Sequence, residues 1–278
     1  MSQKSYDDTP TLYLIPTPIG NYDDITLRTL KTLEQIDVLF CEDTRVTGQL
    51  LHHFNIRCQL IANHLHNEKH NKEKILTYLK SGQSIGLVSD RGTPIISDPG
   101  IELAKHVIAN NYNVVSLPGA TALIPALTIA GLDANYFLFY GFLDAKDGRR
   151  RKQLSNLMNY PMTIIFYEAP HRIVKTMNDI LDVFGDRNIC VAREISKKFE
   201  EVYRGKVSDV IKQVQNIKGE IVIVVAGNKN LINYEELPID EHIKIYMQDG
   251  LNSKEAIKEV AKQRKVNKNV VYKEYHHK

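Results

Sequence analysis

The sequence predicts an α/β fold with two domains and a small helical tail. Short strand-like runs alternate with helical segments through the first half of the chain, a pattern typical of a mostly parallel sheet. The second half has fewer helices per strand, which favours a mixed sheet. The final forty residues carry helical patterns alone. We therefore expect an N-terminal α/β domain at 11–117, a C-terminal α+β domain at 118–228 and a helical tail at 237–278.

The first domain combines β-branched and aromatic runs with capped helices. Thr26 is a candidate N-cap for a helix that carries Leu27, Leu30 and Leu33 on one face. A helix or turn over 121–131 is expected to end at a glycine. The other predicted helices lie at 46–54, 68–80 and 102–110. The predicted strands are Thr11–Pro16, Ile36–Asp43, Ser84–Val88 and Asn113–Leu117.

The second domain contains longer apolar runs. Its predicted strands are Tyr136–Leu143, Met162–Glu168, Asn188–Glu194, Glu200–Gly205 and Gly219–Gly227. Its predicted helices are Ile173–Phe184 and Val207–Gln215. The basic segment KDGRRRK separates the first two strands and is a candidate contact for phosphate groups.

The tail, which follows a polar linker at 228–238, reads as three short helices. Gly250 ends the first helix, Asn252 and Glu255 form a capping-box signal for the second, and Asn267 is a candidate cap for the third. The arrangement resembles a helix-turn-helix, although a helical appendage that packs on its neighbour would give the same pattern. Residues 254–278 hold eight Lys/Arg and three Asp/Glu, so the tail is more basic than the chain as a whole, whose net charge is +3. This excess indicates an acidic partner such as nucleic acid.

Composition excludes several classes of protein. The 278 residues are 43% hydrophobic and 25% charged, and no run approaches the length of a membrane helix. The N-terminus lacks the apolar core of a signal peptide, so we expect neither secretion nor a membrane. Cys41, Cys58 and Cys190 are too far apart for a zinc spacing or a disulfide framework, which favours a reducing cytoplasm. The histidines of NHLHNEKH lack an HExxH spacing, and no metal site is expected.

Four polar loops follow the predicted strands of the first domain: PTPIGN, CEDTR, SDRGTP and LPGATA. Loops at the carboxyl ends of parallel strands form the ligand crevice of such sheets, so we expect these loops to converge. The stretch SDRGTPIISDPG, Ser89–Gly100, matches neither phosphate-loop pattern and holds no lysine. Its Gly92 permits close backbone approach, which suits a ligand held by main chain and shape. Asp90 and Asp98 are alternative Mg²⁺ ligands, and Asp98 is also a candidate cap for the helix that follows.

Charged residues at strand ends are candidates for chemistry. Glu42, Asp43 and Arg45 in CEDTR could act in general-base catalysis, or could form a solvated salt-bridge cluster. The second domain adds EAPHR and a basic stretch that begins at Arg193, and these cations would suit a polyanion.

Nine motifs occur in the order of a known family. They are PTPIGN, FCEDTR, HLHNE, SDRGTPIISDPG, LPGATA, YGFL, FYEAPHR, ARE followed by FEE and RG, and GEIVIVVAG. On these motifs the sequence resembles the ribosomal RNA small subunit methyltransferase I family, which belongs to the tetrapyrrole-methylase-like methyltransferases. The resemblance covers Thr11 to Gly227 and extends to the helix-turn-helix-like tail.

The resemblance implies a tetrapyrrole-methylase-like fold, with S-adenosylmethionine (SAM) in the cleft between the two domains and commonly a homodimer. It implies 2′-O-methylation of a cytidine ribose in the decoding region of 16S rRNA in the small ribosomal subunit. The family usually has a small residue where this chain has Arg91, so a side-chain role at that position is in doubt, though not a backbone role. The SAM-binding residues implied by the resemblance are Pro18, Asp90, Arg91, Gly92, Thr93, Ile96, Thr121, Ala122, Tyr167, Val225 and Ala226.

For the methyl transfer we expect Glu42 or Asp43 to accept the hydroxyl proton or orient the ribose. Arg45 and Arg193 are expected to fix the flanking phosphate. One rival is a tetrapyrrole methylase that acts on uroporphyrinogen or a precorrin, against which the basic tail argues. The other is a non-catalytic RNA-binding assembly factor, although no RNP aromatic residues or GXXG clamp are visible.

Overall fold

The computed structural model describes residues 3–4, 8–64, 68–228, 237–248 and 250–276. These residues divide into two compact units, one within residues 1–227 and the other within residues 228–278. The predicted linker at 228–238 and the centre of the HLHNE motif, including His66, lie largely outside the described residues. No described helix has the length and hydropathy needed to cross a membrane.

The first sheet is parallel throughout, which confirms the prediction for this half of the chain. Within the described residues it has five strands in the order β3-β2-β4-β1-β5. They are β1 (Thr11–Leu14), β2 (Val38–Cys41), β3 (Gln59–Ala62), β4 (Ile85–Leu87) and β5 (Asn113–Ser116). The sequence prediction missed β3, a four-residue edge strand with one buried side chain. So short and polar a strand carries little alternation from which to recognise it.

Helices cover both faces of the first sheet. They are α1 (Leu27–Gln35), α2 (Thr44–His53), α3 (Glu68–Lys80) and α4 (Ile101–Ala109). The next helix, α5 (Leu123–Ile129), follows β5 and packs on the second sheet. The Thr26 side chain caps α1 as predicted, accepting a hydrogen bond from the Thr29 amide at 3.0 Å. The predicted apolar face is wrong at one position, because Leu27 is 77% exposed while Leu33 is buried. Leu27 is the first residue of the helix and precedes the turn that reaches the core.

The second sheet is mixed, again as predicted. The described part of this half forms five strands in the order β6-β7-β10-β8-β9, in which only the β6–β7 pair is parallel. The strands are β6 (Phe137–Phe142), β7 (Thr163–Glu168), β8 (Asn188–Arg193), β9 (Glu201–Lys206) and β10 (Ile221–Val225). The helices are α6 (Asp147–Leu157), α7 (Ile173–Phe184) and α8 (Val207–Gln213). An apolar core fills the face that carries these helices, and a smaller core lies beneath α5 on the other face.

The basic segment KDGRRRK begins α6, a helix that the sequence prediction missed. Its arginines face carboxylates: Arg150 is buried and donates to Asp179 at 2.6 Å, and Arg151 bonds to Asp179 at 2.7 Å and also to Asp182. Asp179 therefore balances two guanidinium groups beside the core. These arginines join α6 to α7, and their charge is largely neutralised within the protein.

The second unit is a small helical cluster. In the described part of this unit, α9 (Ile239–Gln248), α10 (Ser253–Gln263) and α11 (Lys268–His276) surround a core that includes Ile243, Ile257 and Val260. The predicted capping box is present, since Asn252 and Glu255 each bond to the other's backbone. The buried His242 accepts from the Arg264 Nε–H at its Nδ1, and burial lowers its pKa, so this imidazole is neutral with its proton on Nε2.

We expect the isosteric change Asp179→Asn to lower the free energy of unfolding by about 3 kcal/mol or more, because it leaves a buried guanidinium without its counter-charge. Urea denaturation of the wild type and the variant measures the loss. Asp182→Asn on the same helix is the matched control, since Asp182 is about half exposed and should cost far less. Equal losses in the two variants would contradict this account.

Candidate functional site

A cavity of about 360 Å³ lies between the loop edge of the first sheet and one face of the second. This volume is in the range of small-molecule sites. The first sheet contributes Ile19, Arg91, Gly92, Thr93, Ile96, Ser97, Asp98, Thr121 and Ala122. The second sheet and its loops contribute Phe142, Tyr167, Glu168, Ala169, Pro170, Ile195, Gly219, Glu220, Ile221 and Val222.

Backbone hydrogen bonds hold the first wall together. Thr17 and Gly92 form a two-bond antiparallel bridge, with N···O distances of 2.9 and 3.0 Å, that ties the loop after β1 to the loop after β4. The Thr93 hydroxyl donates to the Ala120 carbonyl at 3.0 Å, which adds the loop after β5. Gly92 has a φ of +82°, a conformation that L side chains rarely adopt. Three of the predicted loops therefore do converge, held by main-chain hydrogen bonds and by the Thr93 hydroxyl.

A buried carboxylate anchors the far end of the same loop. Glu68, the first residue of α3, accepts hydrogen bonds from the amides of Gly100, Glu102 and Leu103 at 3.1–3.3 Å. These amides belong to the first turn of α4, where N–H groups lack helical partners. The expectation that Asp98 caps this helix is wrong, because Gly100 is the N-cap residue and a carboxylate from another helix supplies the cap.

The second wall is rigid at the end of β7. The Tyr167 phenol lies beside Thr121 of the opposite wall, and burial raises its pKa. Glu168 is buried and accepts from the Ala169 amide at 2.8 Å, from Arg172 Nε at 2.9 Å and from the Thr176 hydroxyl. The motif EAPHR thus fixes the loop that carries Ala169 and Pro170.

A chain of ion pairs lies at the rim of the cavity. Arg91 from the first wall pairs with Glu220 at the start of β10, and Glu220 also bonds to Lys197 at 2.9 Å. Lys197 bonds in turn to Glu194 at 2.8 Å. The carboxyl of Glu194 is partly desolvated, yet these contacts, with Lys197 foremost, hold its pKa below the usual range. The Arg91 side chain therefore reaches across the rim to the second sheet.

Carboxylates gather at the ends of β2 and β4. The Asp43 carboxylate caps α2 and pairs with Arg45, and the hydrogen bonds from Arg45 lower its pKa to about 2. Asp90 accepts from the Asp43 amide at 3.0 Å. Burial, followed by the charge of Asp90, raises the pKa of Glu42. Burial and the charge of Glu42 raise the pKa of Asp98 to about 6, and Asp98 is the member of this group that lines the cavity.

Several predicted site residues lie away from the cavity. Val225 and Ala226 lie at the far end of β10: because that strand runs antiparallel to β7, its start pairs with Tyr167 and Glu168, whereas Val225 pairs with Ile164. Arg193 pairs with Glu201 at 3.0 Å and does not line the cavity.

The other predicted residues divide into those that line the cavity and those that do not. Five of them do not line the cavity: Pro18, Glu42, Asp43, Arg45 and Asp90. The predicted residues that line it are Arg91, Gly92, Thr93, Ile96, Thr121, Ala122 and Tyr167.

Sequence reasoning also missed part of the lining. Phe142, Glu168 and Glu220 belong to motifs that were recognised, YGFL, EAPHR and GEIVIVVAG, but were assigned no role at the cavity. The position of Glu220 at the cavity depends on the direction of β10, and only the pairing of the strands reveals that direction. No group of His, Cys, Asp and Glu with metal-site geometry occurs in the part of the chain that the structure describes.

Comparison with known proteins identifies the family to which this chain belongs. The profile of the family described as Tetrapyrrole (Corrin/Porphyrin) Methylases matches residues 11–211. Curated relatives named ribosomal RNA small subunit methyltransferase I are 44% identical in Bacillus subtilis, over 99% of this chain and 97% of the relative, and 42% identical in Escherichia coli O157:H7, over 94% and 93%.

Solved structures show the same fold at lower identity. A cobalt-precorrin-4 methyltransferase of cobalamin biosynthesis matches with a TM-score of 0.60 and 19% identity, over 78% of this chain and 94% of its own. A uroporphyrin-III C-methyltransferase from Thermus thermophilus, solved with S-adenosylhomocysteine, matches with a TM-score of 0.56 and 17% identity, over 78% and 97%.

We expect Glu68→Ala to loosen the loop that forms the first wall. Hydrogen exchange at the amides of Gly100, Glu102 and Leu103 should accelerate by about 10-fold or more, because a hydrogen bond to a charged acceptor contributes on the order of 1.5 kcal/mol. Exchange mass spectrometry on peptides that cover residues 93–104 measures the change. Glu73→Ala on the same helix, whose side chain is 82% exposed, is the control and should leave these amides protected. Unchanged exchange in Glu68→Ala would refute the anchor.

Proposed function

Because the chain belongs to the tetrapyrrole methylase family and, within it, to the ribosomal RNA small subunit methyltransferase I family, we propose that it methylates the 2′-oxygen of a cytidine ribose in 16S rRNA. The reaction class is SAM-dependent methyl transfer to rRNA. The cytidine, its position in the decoding region and the 2′-oxygen are the finer part of the proposal. The observation that carries it is the identity of 40–44% to rRNA methyltransferases over nearly the whole chain.

The rival is a small-molecule tetrapyrrole methylase. The solved structures with that activity are 16–19% identical to this chain, a level at which a shared fold does not specify a substrate. They cover 78–79% of the chain, whereas the rRNA methyltransferases cover up to 99%. The basic helical unit, for which a tetrapyrrole substrate has no evident use, also favours RNA.

We assign the cavity to SAM, which supplies an electrophilic methyl group on a positively charged sulfur. The residues present fit this group: apolar side chains such as Ile19, Ala122 and Val222 suit its adenosine and thioether portions, and Asp98 suits its positive charge. Gly92 has no side chain, so a ligand can approach the main chain of this wall closely. The proposed SAM-binding residues are Arg91, Gly92, Thr93, Ile96, Thr121, Ala122 and Tyr167. Pro18 and Asp90 are next in the chain to the lining residues Ile19 and Arg91.

The protein's main contribution to methyl transfer is alignment. Two walls braced by the Thr17–Gly92 bridge and the Tyr167–Thr121 contact form a preorganised cavity. Holding the reacting atoms in line can supply about 7 kcal/mol or more of the barrier. A group that accepts the hydroxyl proton adds about 10²-fold or more. Glu42 and Asp43 are candidates, but Asp43 is occupied by Arg45 and the backbone of α2, and so is better suited to hold that helix in place.

The partner in the proposal is 16S rRNA within the small subunit, engaged in part by the second unit. Lys262, Lys265 and Lys268 are exposed around the turn between α10 and α11, and Tyr272 exposes an aromatic ring on α11. Cations and aromatic faces are the groups that bind RNA phosphates and unstacked bases. A homodimer and a cytoplasmic location, where ribosomal subunits are found, complete the proposal.

We expect the purified chain to transfer labelled methyl groups from SAM to 16S rRNA or small subunits that lack the modification. Nuclease digestion and mass spectrometry should locate the label as a single 2′-O-methylcytidine. Uroporphyrinogen III serves as the competing substrate and should accept none. Label on the tetrapyrrole, or on a base instead of a ribose, would overturn the proposal.

Replacing Lys262, Lys265 and Lys268 by Gln should weaken RNA binding and lower the slope of log K against log salt by about 2, because each phosphate contact contributes roughly 0.7–0.9. Filter binding over a salt series gives the slope, and calorimetry with S-adenosylhomocysteine should show unchanged affinity. The control replaces Lys80, Lys105 and Lys212, exposed lysines of the first unit, in the same way. An equal effect in the control would deny the tail a specific role.

A further inference from the structure

The carboxylates that line the cavity differ in what surrounds them. Glu168 accepts from Arg172, Thr176 and a backbone amide, and Glu220 is paired with two cations at the rim. Among the cavity-lining carboxylates of the described residues, Asp98 alone forms no ion pair. Ser89, whose hydroxyl bonds to the carbonyls of Arg91 and Gly92 at 3.3 and 3.4 Å, favours the charged form of Asp98.

The backbone around Asp98 is held in uncommon conformations. Ile95 and Ser97 have φ of +76° and +68°, and a positive φ is a genuine outlier for a β-branched residue. Gly100 has a φ of +124°, and a Cβ there would lie 2.6 Å from Leu87, so no larger residue fits. The Glu68 carboxylate fixes the Gly100 amide from behind. Strain of this kind persists when the surroundings enforce it and clusters at functional sites, so Asp98 is presented to the cavity by a constrained turn.

The charges around Asp98 suit a proton acceptor at neutral pH. Burial disfavours its charged form, and the carboxylates of Glu42 and Asp90 repel it, while Ser89 stabilises it. Tyr167 faces it from the opposite wall as a neutral phenol. Of the other charged groups that line the cavity, Arg91 and Glu220 are paired with each other at the rim, and Glu168 is paired with Arg172. The result is a pKa of about 6, close to the value at which a carboxylate is both ionised and basic near pH 7.

Resting on the proposed function, we propose that Asp98 is a catalytic residue that accepts the proton of the ribose 2′-hydroxyl. The O–H bond breaks and its proton passes to Asp98 Oδ, while the oxygen forms a bond to the methyl carbon. The bond between that carbon and the sulfonium sulfur breaks, and its electron pair stays on sulfur as a neutral thioether. Asp98 then loses the proton to solvent, so that no further reactant is needed.

Glu42 has a different role in this proposal. It does not line the cavity and acts on Asp98 through its charge, so it is a positioning residue that tunes the acceptor. Removing its charge should lower the pKa of Asp98, whereas removing the Asp98 carboxylate should abolish the acceptor.

The first arm of the test compares Asp98→Asn with Asp209→Asn, an isosteric change at an exposed site on α8, which packs against the other face of the second sheet. Single-turnover methyl transfer to small subunits should fall by about 10²-fold or more in Asp98→Asn and stay at the wild-type rate in the control. Calorimetry should give an affinity for S-adenosylhomocysteine within about threefold of the wild type. An unchanged rate, or a loss of affinity as large as the loss of rate, overturns the proposal.

The second arm follows the single-turnover rate against pH. The wild type should lose rate as the pH falls through about 6, because protonated Asp98 cannot accept. In Glu42→Gln the fall in rate should occur at lower pH than in the wild type. A fall at the same pH contradicts the proposal, and this outcome can be read even where Asp98→Asn does not fold. Wild-type protein that methylates no rRNA ribose refutes the proposed function and this inference with it. An active wild type with a fully active Asp98→Asn refutes the inference alone.

Discussion

The direction in which strands run determines which residues meet at the cavity. All strands of the first sheet are parallel, so β1, β2, β4 and β5 release their polar loops at one edge. At that edge the Thr17–Gly92 bridge and the Thr93–Ala120 bond can form, and the carboxylates that follow β2 and β4 come into proximity. A different direction for any one of these strands would carry its loop to the opposite edge and leave the wall incomplete.

The same constraint explains what the sequence could and could not predict. Alternation of strands and helices was sufficient for the parallel sheet, and with it for the convergence of the loops around Gly92 and Thr121. In the second sheet β10 runs against β7, so its start lines the cavity, and a prediction that took the end of the strand placed Val225 and Ala226 at the wrong end. The amino-acid composition of a strand does not show its direction when the connecting segments are compatible with both parallel and antiparallel pairing. The edge strand β3 and the helix α6 were missed because neither shows a strong apolar period.

The roles predicted for charged residues from the sequence also change once their partners in the fold are known. Arg150 and Arg151 look like a phosphate-binding segment, yet Asp179 and Asp182 neutralise them and turn them into a brace between two helices. Asp43 looks like a base, yet it caps a helix and pairs with Arg45. The Arg150–Asp179 and Arg151–Asp182 partners lie 29 and 31 residues apart and leave no local pattern in the sequence. The partners that the fold gives a charged residue therefore decide what that residue can do, and Asp98 in the cavity has no ion-pair partner among the described residues.

The environment of Asp98 also couples its protonation to the charge of its ligand. A cationic sulfonium in the cavity would favour the carboxylate over the acid and lower the pKa of Asp98, so that the acceptor is ionised when a reactive complex forms. Methyl transfer removes that positive charge, and the repulsion from Glu42 and Asp90 again favours the protonated acid. The basicity of Asp98 would therefore rise as charge leaves the sulfur, when the ribose oxygen must release its proton. In an ordinary ion pair, the repulsion from Glu42 and Asp90 would weaken the binding of a cation. Here the same repulsion makes Asp98 more basic once the sulfur has lost its positive charge.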